Sequence, residues 1–288
     1  MENLKERSSF SKFIYRMFSR RVVIIGFVGT VLFVFIAVFA PVIAPHDPAE
    51  MDLMGKLSDV NRDHLFGTDM YGRDILSRVV YGTRVSLIIG VLSVIIAAAI
   101  GTFFGMLAAY NGGIVDTVLM RICDAFRAIP QIALSMALIA VYGSSIWSMA
   151  VIISISTVPE YIRMMRASTL SIMSSEYILA AKLSGESSLL VMYRHIFQNS
   201  ISPIIILATQ QIGSSILMEA GLSFLGIGVM VPTASWGSMV NEARPYLLTH
   251  PIYVLAPCAC IALLVISLNL LGDGIRDALD PTLRGGER

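Results

Sequence analysis

The chain has 288 residues, 56% of them hydrophobic and 14% charged, with a formal net charge of +1. A mean hydropathy of +0.75 excludes an ordinary soluble domain and describes a protein with several membrane spans, and the near-neutral balance gives no field that would favour nucleic acid as a partner. Three cysteines, Cys123, Cys258 and Cys260, form no CxxC or Cys/His spacing and read as small core residues.

Residues 1–21 form a basic segment with Lys5, Arg7, Lys12, Arg16, Arg20 and Arg21, ahead of the apolar run 22–44. That run is too long for a signal-peptide core and has no small-residue cleavage site, so it is expected to be a retained first transmembrane helix. Its basic flank keeps the N-terminus cytoplasmic. An extracytoplasmic loop over 45–83 follows, then a five-helix core over 84–272, and 273–288 make a cytoplasmic tail. Within the core the expected spans are 85–110, 118–141, 146–162, 200–221 and 252–271, each near the ~20 residues a bilayer needs. Six spans return both termini to the cytoplasm.

In the loop 45–83, Gly67 and Gly72 permit tight turns, and Asp69, Arg73 and Asp74 are placed to pair or to cap the next helix. It reads as a folded polar cap seating the second span, or as a surface that meets an external delivery protein. His64 reads as a hydrogen-bonding residue, and no metal site is expected: His46, His64, His195 and His250 lie in different segments. Gly101 and Gly105 in the second span allow close helix approach. Further on, Arg121, Asp124 and Arg127 share one face of the third span, where they can pair with each other, and Pro130 can kink that helix.

Between the fourth and fifth spans lies a charged stretch, 174–199, carrying Glu176, Lys182, Glu186, Arg194 and His195. Charges at bilayer depth cost ~2.5 kcal/mol or more each, so this stretch belongs in water. Ser174 or Ser175 can cap a first short helix, Gly185 breaks it, and Ser187 or Ser188 can start a second. The resulting helix–turn–helix either rests on lipid or docks a soluble partner. Span five contains Gln210, Gln211, Ser214 and Ser215, which face neighbouring helices or a translocation path. Glu219, near the outer end of that span, is expected to reach water or an external partner. In the loop 222–250, Trp236 fits an interfacial anchor.

Glu176, Ala180, Ala181, Gly185 and Ile196 fall where permeases of ATP-binding cassette (ABC) importers place their cytoplasmic coupling loop, although Gln198 stands where proline is usual. His64, Phe66, Gly67, Thr68, Asp69, Gly72, Arg73 and Asp74 resemble the signature of the peptide/nickel subgroup, as does the ending LNLLGDGIRDALDPTLR. The resemblance implies an all-α membrane protein of the type I ABC importer permease fold with about six transmembrane helices. It further implies a permease subunit that passes peptides, nickel or a metal–chelator complex by alternating access. The implied partners are a second, homologous permease subunit forming a heterodimer, an extracytoplasmic substrate-binding protein, and two cytoplasmic ABC ATPase subunits that bind the ATP and Mg. The implied location is the cytoplasmic (inner) membrane of a bacterium or archaeon.

The chain has no GxxxxGK[ST] phosphate loop, nucleophile elbow or HExxH motif, so it is expected to be non-catalytic and to bind no cofactor itself. The rival reading is an autonomous secondary transporter or channel. It would need inverted repeats or an ionisable residue at mid-membrane, whereas the charges cluster at the expected span ends.

Overall fold

A computed structural model describes residues 14, 17, 18 and 20–279. The basic cluster Lys5, Arg7, Lys12 and Arg16 and residues 280–288 of the expected tail lie outside the described residues. Helix α1, Arg21–Val38, is apolar on all sides and is followed after Phe39 by a single turn, Ala40–Ile43. The loop then runs without regular structure to Asp74, whose carboxylate accepts from the Ser77 amide at 2.7 Å and starts α2, Ile75–Asn111. The expected outer loop therefore ends nine residues early, because Asp74 nucleates helix where the apolar pattern had not yet become continuous. At 1.5 Å per residue the 37 residues of α2 extend about 55 Å, well beyond the ~30 Å of bilayer hydrocarbon.

Gly112 and Gly113, at φ 63° and 52°, turn the chain into α3, Gly113–Ala128. The expected third span is broken rather than kinked: α3 and α4, Gln131–Tyr142, meet at 90°. Pro130 has no amide to donate and pushes Ile129 to extended geometry, φ −95° and ψ 129°, so the helix stops there. The charges on α3 do not pair with one another as the spacing suggested. Asp116 instead meets Arg166 and Asp124 meets Arg163, both on α5, Ile146–Ile172.

Helix α5 begins with a Ser145–Ser148 capping box and runs through Pro159 without breaking. It packs along α2 at Gly101 and Gly105, where an added Cβ would lie 2.2 Å from Tyr161 Cβ and 2.6 Å from the Ile162 carbonyl oxygen. Two short helices follow and lead into α8, Ser202–Phe224; α9, Trp236–Ala243, and α10, Pro251–Leu279, complete the bundle. Trp236 is not an interfacial anchor. Its ring is fully buried against Phe33, and its Nε1 donates to the Val79 carbonyl at 2.9 Å. Of the cysteines only Cys123 is buried, and Cys258 lies exposed on α10.

Four helices, α1, α2, α8 and α10, are long and apolar enough to cross a membrane, and the broken pair α3–α4 makes a fifth. Helix α5 falls outside that set. It has the length, but its second half carries Glu160, Arg163 and Arg166.

Candidate functional site

At one end of the bundle, α5 gives way to α6, Glu176–Leu183, and α7, Ser188–Val191. Ser175 and Ser187 occupy the N-cap positions, without side-chain capping bonds. Between the two helices Gly185 sits at φ +75° with nothing within 4 Å of an added Cβ. Backbone conformation, not crowding, calls for glycine at that turn. Beyond α7 the chain winds as a π-helix over Met192–Phe197 and a further turn Gln198–Ser200, then enters α8. Ser168 Oγ near the end of α5 donates to the Ser200 carbonyl at 3.1 Å, so the element is tied to α5 as well as to α8.

The element has two faces. Ile178, Ala181, Val191, Met192 and Ile196 are buried against Met106, Tyr161 and Met165 of α2 and α5. Glu176, Ala180 and Gly185 point outward with Leu183 and Leu189, which are 88% and 67% exposed. Of the five expected docking residues, Ala181 and Ile196 therefore seat the element on its own chain, and three lie on the free face. His195 Nε2 and Glu186 Oε2, 2.9 Å apart, join the two helical parts. The ammonium of Lys182 lies 4.7 Å from the Tyr110 ring.

At the opposite end of α2 the loop residues close into a buried ionic cluster. Asp69 Oδ1 accepts from the amides of Tyr71 and Arg73, and its Oδ2 accepts from Arg73 Nε at 2.6 Å. Arg73 Nη2 reaches Glu242 of α9 at 2.7 Å, and Tyr253 of α10 donates to the same carboxylate at 3.2 Å. Arg78 lies 3.4 Å from Asp69 and 3.6 Å from Glu242. Two arginines thus face two carboxylates with the arginine side chains wholly excluded from solvent, the arrangement that makes a buried charge tolerable. Gly72, at φ +77°, has an added Cβ position only 1.7 Å from the Asp52 carbonyl oxygen, so this loop closes only with glycine there. Arg78, Glu242 and Tyr253 were not singled out by the motif. For Arg78 and Tyr253 the signal is a charge or hydroxyl inside an apolar helical run, and for Glu242 a carboxylate on a short amphipathic helix, each legible only with its partner in place.

Thr68, Asp69, Arg73 and Asp74 are all buried, and with Gly67 and Gly72 they build the polar cap. Phe66 is half-buried beside them. The histidines are less scattered than their sequence positions suggest: His46 and His64 rings lie 4.8 Å apart beside Asp74. His64 Nδ1 is 3.0 Å from Asp74 Oδ1, and His46 Nε2 is 2.8 Å from the Asp63 carbonyl oxygen, so both rings are engaged in hydrogen bonds.

The third polar region lies among α4, α5 and α8. Gln210 and Gln211 are half-buried, Ser214 is exposed and Ser215 is buried. Gln211 Nε2 donates to Glu160 of α5 at 2.5 Å. Glu160 is close to the midpoint of a 27-residue helix, so the charges are not confined to helix ends. Beside it a cavity of about 260 Å³ is lined by Arg127, Pro130, Gln131, Ser156, Pro159 and Glu160. Glu219 does not reach water. It is fully buried and accepts from Ser223 Oγ at 2.7 Å and Ser86 Oγ at 3.4 Å.

A bundle of apolar helices carrying a seated helix–glycine–helix at one end, a closed ionic cap at the other and polar groups between them defines a multi-pass membrane permease. Residues 101–285 match the family described as binding-protein-dependent transport system inner membrane component, and residues 8–59 match the N-terminal TM domain of oligopeptide transport permease C. The chain belongs to the first of these families and is an ABC permease of the dipeptide/oligopeptide type. It is 38% identical over 264 residues to the dipeptide transport system permease protein DppC of Alkalihalophilus pseudofirmus, covering 92% of this chain and 87% of that one. It is 41% identical over 256 residues to the glutathione transport system permease protein GsiD of Escherichia coli, covering 88% and 84%. Among solved structures, the MetNI methionine ABC transporter shares the fold, with a TM-score of 0.58 at 19% identity over 72% of this chain and 98% of that one.

Proposed function

We propose that this chain is one of two non-identical permease subunits of an ATP-driven importer of short peptides. The helix–glycine–helix end faces the cytoplasm, where two ATPase subunits dock, and the ionic cap faces outward toward a substrate-binding protein. Six spans cross the membrane, with α5 as one of them, shielded by its packing against α2. Glu176, Ala180 and Gly185 shape the docking face together with Leu183 and Leu189. The relatives named above are described as dipeptide and glutathione permeases, which favours peptides over nickel or a metal–chelator complex.

The observation that carries this reading is the two-faced coupling element, seated through Ile178, Val191 and Ile196 with Leu183 and Leu189 exposed on its free side. Force applied there passes directly into α8 through Gln198–Ser200 and into α5 through the Ser168–Ser200 bond. ATPase closure thereby moves the helices that bear Glu160, Gln210, Gln211, Ser214 and Ser215, and alternates access to the space between them.

Purification of the tagged chain from its native membrane in mild detergent tests the proposal, with mass spectrometry of bound proteins and ATP-dependent uptake after reconstitution. Recovery of a second permease and ATPases with ATP-driven uptake is expected. Solute uptake by this chain alone, without ATP, would overturn it.

A further inference from the structure

Charged side chains midway along membrane helices are costly and, where present, mark the route of a polar solute or ion. One such group, Glu160, meets a second charge, Arg127, in the cavity at the α3–α4 break. Arg127 ends α3, Glu160 lies near the centre of α5, and both line the same space of about 260 Å³ with Gln131 and Ser156. Secondary transporters place their substrate sites at interrupted helices, and here the 90° break at Pro130 opens a comparable space beside α5.

The two charges are not spent on each other. Among the described residues Arg127 forms no ion pair, and the one side chain that engages Glu160 is the neutral amide of Gln211. This contrasts with the two arginines that follow Glu160 on α5. Arg163 and Arg166 are both neutralised by aspartates of α3. Arg127 and Glu160 are also exposed along this face of the chain, so each can offer its full charge to a solute. The neutral lining groups Gln131 and Ser156 are already joined at 3.2 Å, which leaves the ionic groups to carry recognition. The volume is just below the ~300–1,000 Å³ typical of drug-sized ligands, a size that suits a short peptide or its end.

We propose that this cavity is a transit site for zwitterionic short peptides, in which Glu160 receives the terminal ammonium and Arg127 the terminal carboxylate. The arrangement rests on the importer function proposed above and adds to it a site and the two side chains that hold the peptide's ends. Gln211 of α8 holds the Glu160 carboxylate, so that movement of α8 relative to α5 changes how Glu160 meets the ammonium. The site thereby couples release to the same helices that the docking element drives.

The test uses the importer purified with its native partners and its binding protein, reconstituted in liposomes and offered a defined mixture of short peptides, with internal peptide read by mass spectrometry. Arg127→Gln and Glu160→Gln should each lower peptide accumulation about tenfold or more, the factor expected for one charge-assisted hydrogen bond. ATP hydrolysis stimulated by loaded binding protein should stay within about twofold of wild type, and Arg127→Lys and Glu160→Asp should restore most of the uptake. Wild-type uptake in both glutamine variants would overturn the site. So would loss of ATPase stimulation together with uptake, which would make the two charges part of the assembly instead. Failure of the wild-type complex to accumulate any peptide would overturn the importer reading itself, and is distinguished by needing no variant.

Discussion

Arg73 and Glu242, 169 residues apart in the chain, meet at 2.7 Å with the arginine side chain wholly buried. Their contact joins the loop before α2 to α9, and Tyr253 brings α10 to the same carboxylate. Glu242 balances Arg73 and Arg78, so its removal leaves two buried guanidinium groups facing Asp69 alone.

Glu242→Ala should therefore destabilise the protein by about 3–5 kcal/mol, the range seen when one partner of a buried pair is deleted. Thermal unfolding of the purified chain in detergent reads this as a marked fall in melting temperature. Glu242→Gln keeps the volume and an acceptor and should fall less. A melting temperature unchanged in Glu242→Ala would show that the cluster contributes nothing to stability.

Close packing of α2 on α5 gives a second prediction. An added Cβ at Gly105 would lie 2.6 Å from the Ile162 carbonyl oxygen and 2.7 Å from Met165 Cβ. Gly105→Leu must therefore push the helices apart, at a cost of about 1–3 kcal/mol or more for overpacking. Gly221→Leu on α8 has nothing within 4 Å of its Cβ and is the matched control. Melting temperatures should separate the two variants.

Much of this architecture was legible in the chain. Apolar runs located the long helices, Gly185 located the turn between α6 and α7, and Asp69, Arg73 and Asp74 marked a paired and capped loop. Two of the parts that were not legible depend on partners far away in sequence. Trp236 looks like an interfacial residue until the Val79 carbonyl is placed at its Nε1. Glu219 looks solvated until Ser86 and Ser223 surround it. The α3–α4 break has a local cause: a proline in a helical run permits either a kink or a stop, and the polar composition of α3 denies the pair one straight apolar rod.

Buried among hydroxyl groups, Glu219 should tolerate Glu219→Gln, which keeps the shape and an acceptor for Ser223, with a change of about 1 kcal/mol or less. Glu219→Lys places a cation there with no carboxylate among its hydrogen-bonding neighbours and should prevent stable folding. Yield and melting temperature of the two variants check the contrast. A well-folded Glu219→Lys protein would mean that the site opens to water.

The two faces of the helix–glycine–helix element predict opposite kinds of failure. Ile196 is fully buried against α2 and α5, so Ile196→Ala should lower the melting temperature, at about 2–5 kcal/mol for an isoleucine cavity. Leu183 is 88% exposed in the isolated chain, so Leu183→Glu should leave the melting temperature unchanged. If the free face is where the ATPases dock, the same variant should lose their co-purification, because a charge would be buried in an apolar interface without a partner. Gly185→Trp combines the two effects: its φ of +75° strains the turn, and the ring projects into open space where a partner would sit. ATPases retained at wild-type levels in both Leu183→Glu and Gly185→Trp would place the docking surface elsewhere on the chain.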